Sequence, residues 1–428
     1  MKVKVKKNGS RLEFIFHKEP EDVVHIRDLK IKMTDELIYI EIGEEADIPH
    51  PDIIAVVTIL MCNPFVGRSL HLPFPVSKNF ITMVSSVISK YEIFDNSDNN
   101  IIPLENKDWG VPGLAFSGGA DSCAALQIMP KRTVSIFLKR PMDVNSLYDL
   151  RAPMEICKIL KESGYEIHTI ETNLEKIRNP IGFPTDLANA IPAIILSDSL
   201  NLDSIAFGTV LESAFGIGHE NYIEYGKSAH WKFYSILFNS IGLNMNLPVS
   251  GISEVGTAII SQKGEIANIS QSCIRGVYKR PCLWCWKCFR KELLVFSLDD
   301  TRDIDLSDML NNHEVQIRLS AFPIAHENVI NYSLRRIDLS KSSGLNFIKS
   351  KMDVSGDYSL FEKWYPDSQR FIPEKYVFEI RDNIMKYLEP MTLEENNNIK
   401  KWDMANHLNN KNTINAQEKL IDYWQDIN

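Results

Sequence analysis

The stretch from Leu114 to Leu126, LAFSGGADSCAAL, joins an apolar run to a helix-like segment through a short turn of serine, glycine and aspartate. Its first residues are typical of the end of a buried strand, and its last residues have the apolar density of a packed helix. Glycine tolerates backbone angles that other residues avoid, and it lets a ligand approach the main chain closely. The pattern therefore predicts a tight strand-to-helix turn in which Gly118 and Gly119 both take unusual backbone angles.

A turn of this kind is suited to binding an anion. The first N–H groups of a helix have no partner inside the helix and lie at the positive end of its dipole. Ser117 and Ser122 add hydroxyl donors, so phosphate is the expected ligand. Asp121 would repel a phosphate unless a cation lies between them, which predicts a Mg²⁺ ligand. Capping of the following helix is the alternative role for Asp121.

Residues 117–122, SGGADS, resemble the SGGxDS loop of the PP-loop ATP pyrophosphatases. Members of that family cleave ATP between its α and β phosphates and activate a substrate by adenylation. The resemblance implies ATP and Mg²⁺ as cofactors and catalytic roles for Ser117, Asp121 and Ser122. The nucleotide contacts that it implies in and around this loop are Phe116, Ser117, Gly118, Gly119, Ala120, Asp121 and Ser122.

A cluster of cysteines lies further along the chain. Its members follow a C-x8-C-x2-C-x2-C pattern and are Cys273, Cys282, Cys285 and Cys288. Each x2 step brings two thiolates onto one ion, and four thiolates favour a structural, tetrahedral Zn²⁺ site. Unrelated buried cysteines are the alternative. The basic residues around the cluster either offset the charge of the thiolates, which we favour, or face a phosphate or nucleic acid: Arg275, Lys279, Arg280, Lys287, Arg290 and Lys291.

Together, the SGGxDS loop and the cysteine spacing resemble the 7-cyano-7-deazaguanine synthase family over residues 112–295. These enzymes convert 7-carboxy-7-deazaguanine into its nitrile with ATP and ammonia. Residues 208–215 also resemble a segment of that family, which implies nucleotide contacts for Gly208 and Glu212. A plain strand-ending glycine and a surface salt bridge are the alternatives for these two residues. The resemblance implies an ATP-dependent ligase that forms an acyl adenylate and then a C–N bond.

The chain is long enough for several globular units. Strands and helices alternate from Leu114 to Leu200, and the last of the predicted helices spans residues 185–200. This order predicts an α/β fold with a doubly wound parallel sheet and ligands at the carboxyl ends of its strands. We predict an N-terminal α+β accessory domain over residues 1–108, a PP-loop synthase-like domain over 109–298 and a mainly helical C-terminal region over 299–428. Helices are also predicted at 51–62 and 76–91, and the asparagine-rich stretches at 394–400 and 406–415 are predicted to be loops.

Composition limits the partners that we expect. The formal net charge is −9, which disfavours a long nucleic-acid groove. No apolar run reaches the length of a membrane span, and the N-terminus has no signal-peptide pattern, so a cytoplasmic protein is expected. The resemblance to the synthase family implies small-molecule ligands, a deazapurine-like carboxylate and ATP. Sulfur transfer to tRNA, which generally needs a catalytic cysteine pair, and a zinc-bearing binding module regulated by nucleotide are the alternative functions.

The segments outside residues 112–295 resemble those of enlarged synthase-like proteins in bacterial defence operons of the anti-phage Qat type. That resemblance implies a protein partner or acceptor that docks on the flanking regions.

Three further residues are candidates for the site itself. Lys139 and Arg140 either steady a phosphate or are solvated charges, and His219 is a candidate proton carrier.

Overall fold

The computed structural model describes residues 1–26, 28, 30–94, 96–142, 148–218, 221–299, 306–321, 324–338, 343–351, 358–404 and 411–427. His219, a candidate from the sequence, lies outside the described residues. The described chain is a mixed α/β protein with a parallel sheet at its centre. This arrangement confirms the alternation of strands and helices that the sequence predicts.

The N-terminal segment combines antiparallel strands with helices. The strands are β1 (Lys2–Asn8), β2 (Arg11–His17), β3 (His25–Ile26), β4 (Ile31–Met33), β5 (Ile38–Glu41), β6 (Ser69–Leu70) and β7 (Glu92–Ile93), and the helices are α1 (Pro51–Cys62) and α2 (Lys78–Ser85). Alternation along β1 and β2 buries Val3, Leu12 and Phe14 against the core. Helix α2 is shorter than the predicted 76–91 at both ends. The Ser77 side chain accepts a hydrogen bond from the Phe80 amide and starts the helix at Lys78, and the helix ends at Ser85.

The central sheet has the strand order β10-β9-β8-β12-β13, and all its neighbouring strands are parallel. Its strands are β8 (Val111–Phe116), β9 (Val134–Lys139), β10 (Ile167–Glu171), β12 (Leu202–Ala206) and β13 (Asn244–Asn246), while β11 (Arg178–Asn179) pairs with β4. After β8, the chain places β9 and β10 on one side of that strand, and it then places β12 and β13 on the other side. The order therefore reverses beside β8, where ligands of open α/β sheets commonly bind.

The helices around this sheet are α3 (Ala120–Ile128), α4 (Arg151–Glu162), α5 (Ile191–Ile195), α6 (Leu211–Phe215), α7 (Ala229–Asn239), α8 (Glu254–Lys263) and α9 (Trp286–Leu298). The predicted helix over 185–200 is wrong in extent. A short 3₁₀ turn at Ala188–Ala190 precedes α5, and turns follow it. Pro192 lies in the first turn of α5, a position that its missing N–H and fixed φ favour.

Helices make up the regular structure of the described C-terminal region, apart from short 3₁₀ turns. They are α10 (Leu306–Leu310), α11 (His313–Ser320), α12 (Glu327–Arg336), α13 (Ser343–Lys351), α14 (Glu374–Ile384), α15 (Leu393–Lys400) and α16 (Lys411–Ile427). The predicted loop at 394–400 is wrong because Thr392 and Glu395 form a reciprocal capping box that starts α15. Of the predicted loop at 406–415, residues 411–415 are helical and the rest lies outside the described residues.

Two apolar cores hold the described residues together. The larger one takes residues from Met1 to Ile399, so it runs through all three predicted domains. The smaller one joins α9 to the C-terminal helices and includes Phe289 and Trp424. Trp364 and Tyr365 are buried in the larger core. Domain boundaries at 108 and 298 stay a prediction, but they do not separate independent cores.

Candidate functional site

The SGGADS loop follows strand β8 at its carboxyl end, beside the point where the strand order reverses. Gly208 follows the neighbouring strand β12 and packs against the same loop. A Cβ on Gly208 would lie 3.1 Å from the Asp121 carbonyl carbon and 3.1 Å from the Ser122 amide nitrogen. Glycine at 208 therefore lets the end of β12 approach the start of α3, and the two sequence motifs meet at one place.

The two glycines of the loop differ in conformation. Gly118 has a φ of +75°, in the left-handed region that other residues rarely adopt. Gly119 has a φ of −79° and is the residue before α3, and a Cβ there would meet Ser117 Oγ at 3.5 Å, an ordinary contact. The expectation that both glycines take unusual angles is thus correct only for Gly118.

The loop serines bond to each other and to the loop backbone. Ser122 Oγ donates to the Gly119 carbonyl at 3.1 Å and lies 3.0 Å from Ser117 Oγ. It also accepts from the Ser117 amide at 3.3 Å, and the Gly119 amide lies 3.4 Å from Ser117 Oγ. Ser122 is buried, so it acts on the shape of the loop. Ser117 is the loop hydroxyl that is more open to a ligand, because it is exposed.

A segment that sequence reasoning missed supports the loop from the opposite side. The Gln271 amide donates to the Gly118 carbonyl at 3.0 Å. Ser272 Oγ accepts from the Ala120 amide at 3.2 Å, at the first residue of α3. Cys273, the first cysteine of the cluster, follows directly. The polar run Ser270-Gln271-Ser272 before that cysteine was the available signal, and it joins the cluster to the loop.

A cavity of about 640 Å³ opens beside the start of α3. Its walls come from α3, α8, α9 and the segment that carries the first cysteines. Three lysines and one carboxylate line it: Lys279, Lys287, Lys291 and Glu292. Ala120 and Ser272 also line it, so the cavity adjoins the loop. Cations next to the N-terminus of a helix create a positive field that attracts anions such as phosphate.

Asp121 lies in the first turn of α3 and contacts α8 and α9. Its Oδ1 accepts from Thr257 Oγ1 at 2.8 Å and lies 3.4 Å from Lys291 Nζ. Gly119 is the N-cap residue, Ser272 accepts from the first helical amide, and the Asp121 carboxylate bonds to Thr257 and Lys291, so Asp121 does not have the alternative role of a cap. Among the described residues both contacts use Oδ1, which leaves Oδ2 for a cation.

Lys291 connects Asp121 to a buried carboxylate, Glu254, at the start of α8. The Lys291 Nζ lies 2.8 Å from Glu254 Oε2, and Arg290 forms a further ion pair with Glu254. His326 Nδ1 lies 2.7 Å from Glu254 Oε1. Burial opposes ionisation of Glu254, but Lys291 and Arg290 hold its pKa well below the usual value. Burial opposes the charge on Lys291 as well, and Asp121 and Glu254 outweigh it and raise the Lys291 pKa.

Glu212 is fully buried behind this network, which excludes the surface salt bridge considered from the sequence. Its two carboxylate oxygens accept from the Glu254 amide at 3.2 and 3.1 Å, and Asn328 Nδ2 donates to it at 2.8 Å. Burial first, and then the charge of Glu254, raise the pKa of Glu212 to about 8. Glu212 thus supports the N-terminus of α8, and its contact with a nucleotide stays a prediction.

The raised pKa of Glu212 predicts a pH effect on stability. The folded protein favours the protonated acid, so the stabilisation is present below the ordinary pKa of 4.5 and is lost as pH rises towards about 8. Glu212→Gln keeps a neutral group of the same size. We expect the difference in melting temperature between the variant and the parent to shift in favour of the variant as pH rises from 5 to 8. Calorimetry in one buffer series measures it. Parallel pH profiles for the two proteins would contradict the buried, titrating acid.

Lys139 and Arg140 are each paired with a carboxylate. Lys139 Nζ lies 2.9 Å from Glu171 Oε2. Arg140 Nη2 donates to Glu175 Oε1 at 2.9 Å, and its guanidinium stacks over Tyr148 at 4.2 Å. Neither residue is therefore a free solvated charge. A role in phosphate binding stays a prediction, and it would require these cations to serve a phosphate as well as a carboxylate.

The cysteine cluster has the geometry of a metal site. The sulfur atoms of Cys273, Cys282, Cys285 and Cys288 all lie within 4.8 Å of one another. Thiolates at about 2.3 Å from a tetrahedral ion stand roughly 3.8 Å apart, which this spacing allows. The Arg275 and Cys282 amides donate to Cys273 Sγ at 3.4 and 3.3 Å, and the Cys288 amide donates to Cys285 Sγ at 3.4 Å. The cluster can therefore hold a metal ion, as the spacing predicts.

The basic residues near the cluster divide into separate groups. Arg275 pairs with Glu314 at 3.1 Å and stacks over Trp284 at 4.5 Å. Arg290 and Lys291 point to Glu254 instead of the thiolates. The expectation that all six offset the thiolate charge is therefore wrong for Arg290 and Lys291. Arg290 lies two positions after Cys288 and therefore on a different side of α9. Lys291 lies three positions after Cys288, and its ion pairs with Asp121 and Glu254 direct its charge.

Comparisons with known proteins add one match. Residues 234–403 match a family that is described as a family of unknown function, DUF6395. This segment includes α8, the cysteine cluster, α9 and α12, but it excludes the SGGADS loop. No curated protein and no solved structure matches the chain. No helix in the described ranges has both the length and the apolar character needed to cross a membrane.

Proposed function

We propose that the protein is an ATP-dependent adenylating ligase. It activates a carboxylate of the 7-carboxy-7-deazaguanine type as an acyl adenylate, releases pyrophosphate and forms a C–N bond to ammonia or an amine. The observation that carries the proposal is the position of SGGADS at the reversal point of a parallel sheet, at the start of α3 and next to a lysine-lined cavity. The resemblance of this loop to the PP-loop enzymes supplies the reaction.

The chain's own groups suit the first step. The substrate carboxylate attacks the α phosphorus of ATP, and negative charge moves onto the departing pyrophosphate. Ser117 and the amides at the start of α3 are donors held in place before the reaction, and such donors lower the barrier. Lys291 adds a fixed cation 3.4 Å from Asp121. Asp121 Oδ2 would hold Mg²⁺, which supplies further charge neutralisation at the phosphates.

The cysteine cluster fits a structural zinc ion in this proposal. Four protein ligands leave no position for a reactive water, so zinc would organise the fold. Its effect would reach the site through the chain, because Cys273 follows Gln271 and Ser272, which bond to Gly118 and Ala120. Metal binding would therefore fix the segment that supports the phosphate loop.

The second step needs a nucleophilic amine, and the flanking regions suggest a source. Enlarged synthase-like proteins of defence operons are the basis for proposing a protein partner or acceptor in anti-phage defence.

Sulfur transfer has less support. Cys123 and Cys157 are buried, and burial raises the pKa of both thiols, to about 12 for Cys157. A thiol that stays protonated is a poor nucleophile.

The reaction itself is the test. Purified full-length protein with ATP, Mg²⁺ and 7-carboxy-7-deazaguanine is expected to produce pyrophosphate and the acyl adenylate. With ammonia added, it is expected to produce AMP and pyrophosphate in equal amounts together with an amide or nitrile, read by mass spectrometry and chromatography. The reaction without the carboxylate is the control and should release little AMP. ADP as the product would contradict PP-loop chemistry, and a lack of any nucleotide turnover with this and related carboxylates would contradict the ligase.

A further inference from the structure

The cavity beside the start of α3 extends beyond the groups that are suited to a phosphate. Among the described residues that line it, Ala120 alone belongs to the SGGADS loop. Ser117 and the two loop glycines lie outside its lining. A phosphate held by those residues would therefore lie at the edge of the cavity. The interior, of about 640 Å³ in all, has the size of a small-molecule site and is left for a second ligand.

The three lysines of this cavity differ in their partners. Lys291 is paired with Asp121 and Glu254. The ammonium of Lys279 lies 5.5 Å from the centroid of the neighbouring Tyr278 ring. Lys287 is exposed in the cavity wall, and no hydrogen bond or ion pair joins it to any described residue. Lys287 therefore keeps a charge that a ligand can use.

Helix α9 places Lys287 close to the reacting end of the site. Lys287 and Lys291 are four positions apart, so they lie on the same face of the helix. Their separation along the helix axis is about 6 Å. Lys291 Nζ lies 3.4 Å from Asp121 Oδ1, which belongs to the SGGADS loop. Lys287 is thus one helical turn from the loop, on the side of α9 that faces the cavity.

The charge of Lys287 is not taken up by the cysteine cluster. The sulfur atoms of the cluster accept from main-chain amides: those of Arg275 and Cys282 bond to Cys273, and that of Cys288 bonds to Cys285. The Lys287 ammonium contacts none of the four sulfur atoms in the described part of the chain. A general offset of the thiolate charge is the alternative role for this lysine, and it predicts a different experimental result.

The remaining walls suit a flat ring with polar edges. Tyr278, Pro281 and Leu294 supply aromatic and apolar surface. Gln262 and Asn268 each bring a side-chain amide, which offers both donors and an acceptor. Neither amide is bonded to another side chain or to the backbone in the described ranges. A planar heterocycle with one carboxylate matches this combination of an unpaired cation, an apolar wall and two amides.

We propose that Lys287 binds the carboxylate of the substrate and that this cavity holds the substrate's ring, with Gln262 and Asn268 at its polar edge. Lys287 then selects the carboxylate over the neutral amide or nitrile, so it favours binding of the substrate and release of the product. The inference rests on the proposed ligase reaction, and it names the residue that recognises the substrate.

Calorimetric titration of the full chain with 7-carboxy-7-deazaguanine tests the proposal, with and without the non-cleavable analogue α,β-methylene ATP. Lys287→Met keeps an unbranched side chain and removes its charge. It is expected to weaken binding of the carboxylate about tenfold or more, because a charge-assisted hydrogen bond is lost. Binding of the neutral 7-carboxamide and of the ATP analogue should change little, and Lys287→Arg should restore most of the affinity for the carboxylate. Lys263→Met, exposed on α8 and outside the cavity lining, is the matched control.

The parent protein provides a test that needs no variant. It should bind the carboxylate about tenfold or more tightly than the carboxamide. Equal affinity for the two, or no binding of the carboxylate up to millimolar concentration, would overturn the proposal even if Lys287→Met failed to fold. A Lys287→Met protein that loses metal or stability but keeps its affinity for the carboxylate would assign the charge to the thiolates and would also refute it.

Kinetics separate this inference from the proposed function. If the parent forms AMP, Lys287→Met should raise the KM for the carboxylate and leave the KM for ATP unchanged. AMP formation with an unchanged KM for the carboxylate in Lys287→Met would refute the role of Lys287 and leave the ligase intact. Carboxylate binding that depends on Lys287, in a protein that forms neither AMP nor an acyl adenylate, would support the binding site and contradict the ligase.

Discussion

Ser117→Ala is expected to slow AMP formation by on the order of 100-fold, since a lost donor to developing negative charge typically costs that much. The hydroxyl is the more open one of the loop. Its loss removes the contacts to Ser122 Oγ and the Gly119 amide, but Ser122 keeps its bonds to the Gly119 carbonyl and the Ser117 amide. Asp121→Asn should reduce the rate at least as strongly, because it weakens the proposed Mg²⁺ contact and removes the charge that faces Lys291. Initial rates of AMP release at saturating ATP and Mg²⁺ measure both effects.

The fold of these two variants should persist. Lys291 keeps its ion pair with Glu254 at 2.8 Å when Asp121 is neutral, so no buried cation is left alone. Melting temperatures are therefore expected to change by only a few degrees. Ser199→Ala, an exposed serine away from the loop, is the matched control and should keep the parent rate. Parent rates in Ser117→Ala and Asp121→Asn would mean that SGGADS is an ordinary turn, and the proposed function would be lost.

Cys285→Ser should produce the largest effect on stability. Serine cannot replace a thiolate as a soft ligand, so we expect the zinc content to fall from about one equivalent per chain towards none. Cys285 also starts α9, where its sulfur accepts from the Cys288 amide, and α9 belongs to the smaller core. Loss of the metal should therefore unfold or strongly destabilise this part of the protein.

Elemental analysis and thermal unfolding of the purified variant measure these two outcomes. Cys157→Ala is the matched control, because Cys157 is buried outside the cluster and should leave the metal content unchanged. A strong chelator added to the parent protein should reproduce the loss of stability. A Cys285→Ser protein that keeps its metal, or that folds normally without one, would refute the structural zinc site.

The network around Glu254 joins parts of the candidate site that no local pattern in the sequence connects. It joins Asp121 in the SGGADS loop, Arg290 and Lys291 on α9, and Glu212 behind α8. None of these pairs is close in sequence, with the exception of the adjacent Arg290 and Lys291. Removal of one member of a buried charge network leaves its partner unpaired, and an unpaired buried charge lowers the stability of the fold. Substitutions here should thus affect stability and the loop together.

Local patterns in the sequence were sufficient for several features. The strands of the parallel sheet and the metal geometry of the cysteines follow from short-range spacing, and the structure has both. Periodicity and ligand spacing are properties of neighbouring residues, so they survive without knowledge of the fold. The helix at 394–400 can be predicted from local spacing as well, because Thr392 and Glu395 have capping-box spacing in the sequence.

Other features depend on contacts between distant parts of the chain. Gly208 meets the Asp121–Ser122 peptide, Ser272 bonds to Ala120, and Asn328 bonds to Glu212 across 116 positions of sequence. Burial raises the pKa of Glu212. The packing of the helices places Lys291 beside Asp121 instead of the thiolates. A side chain's partners and its exposure to water are set by the packing of whole elements, and a single sequence contains no local pattern that specifies them.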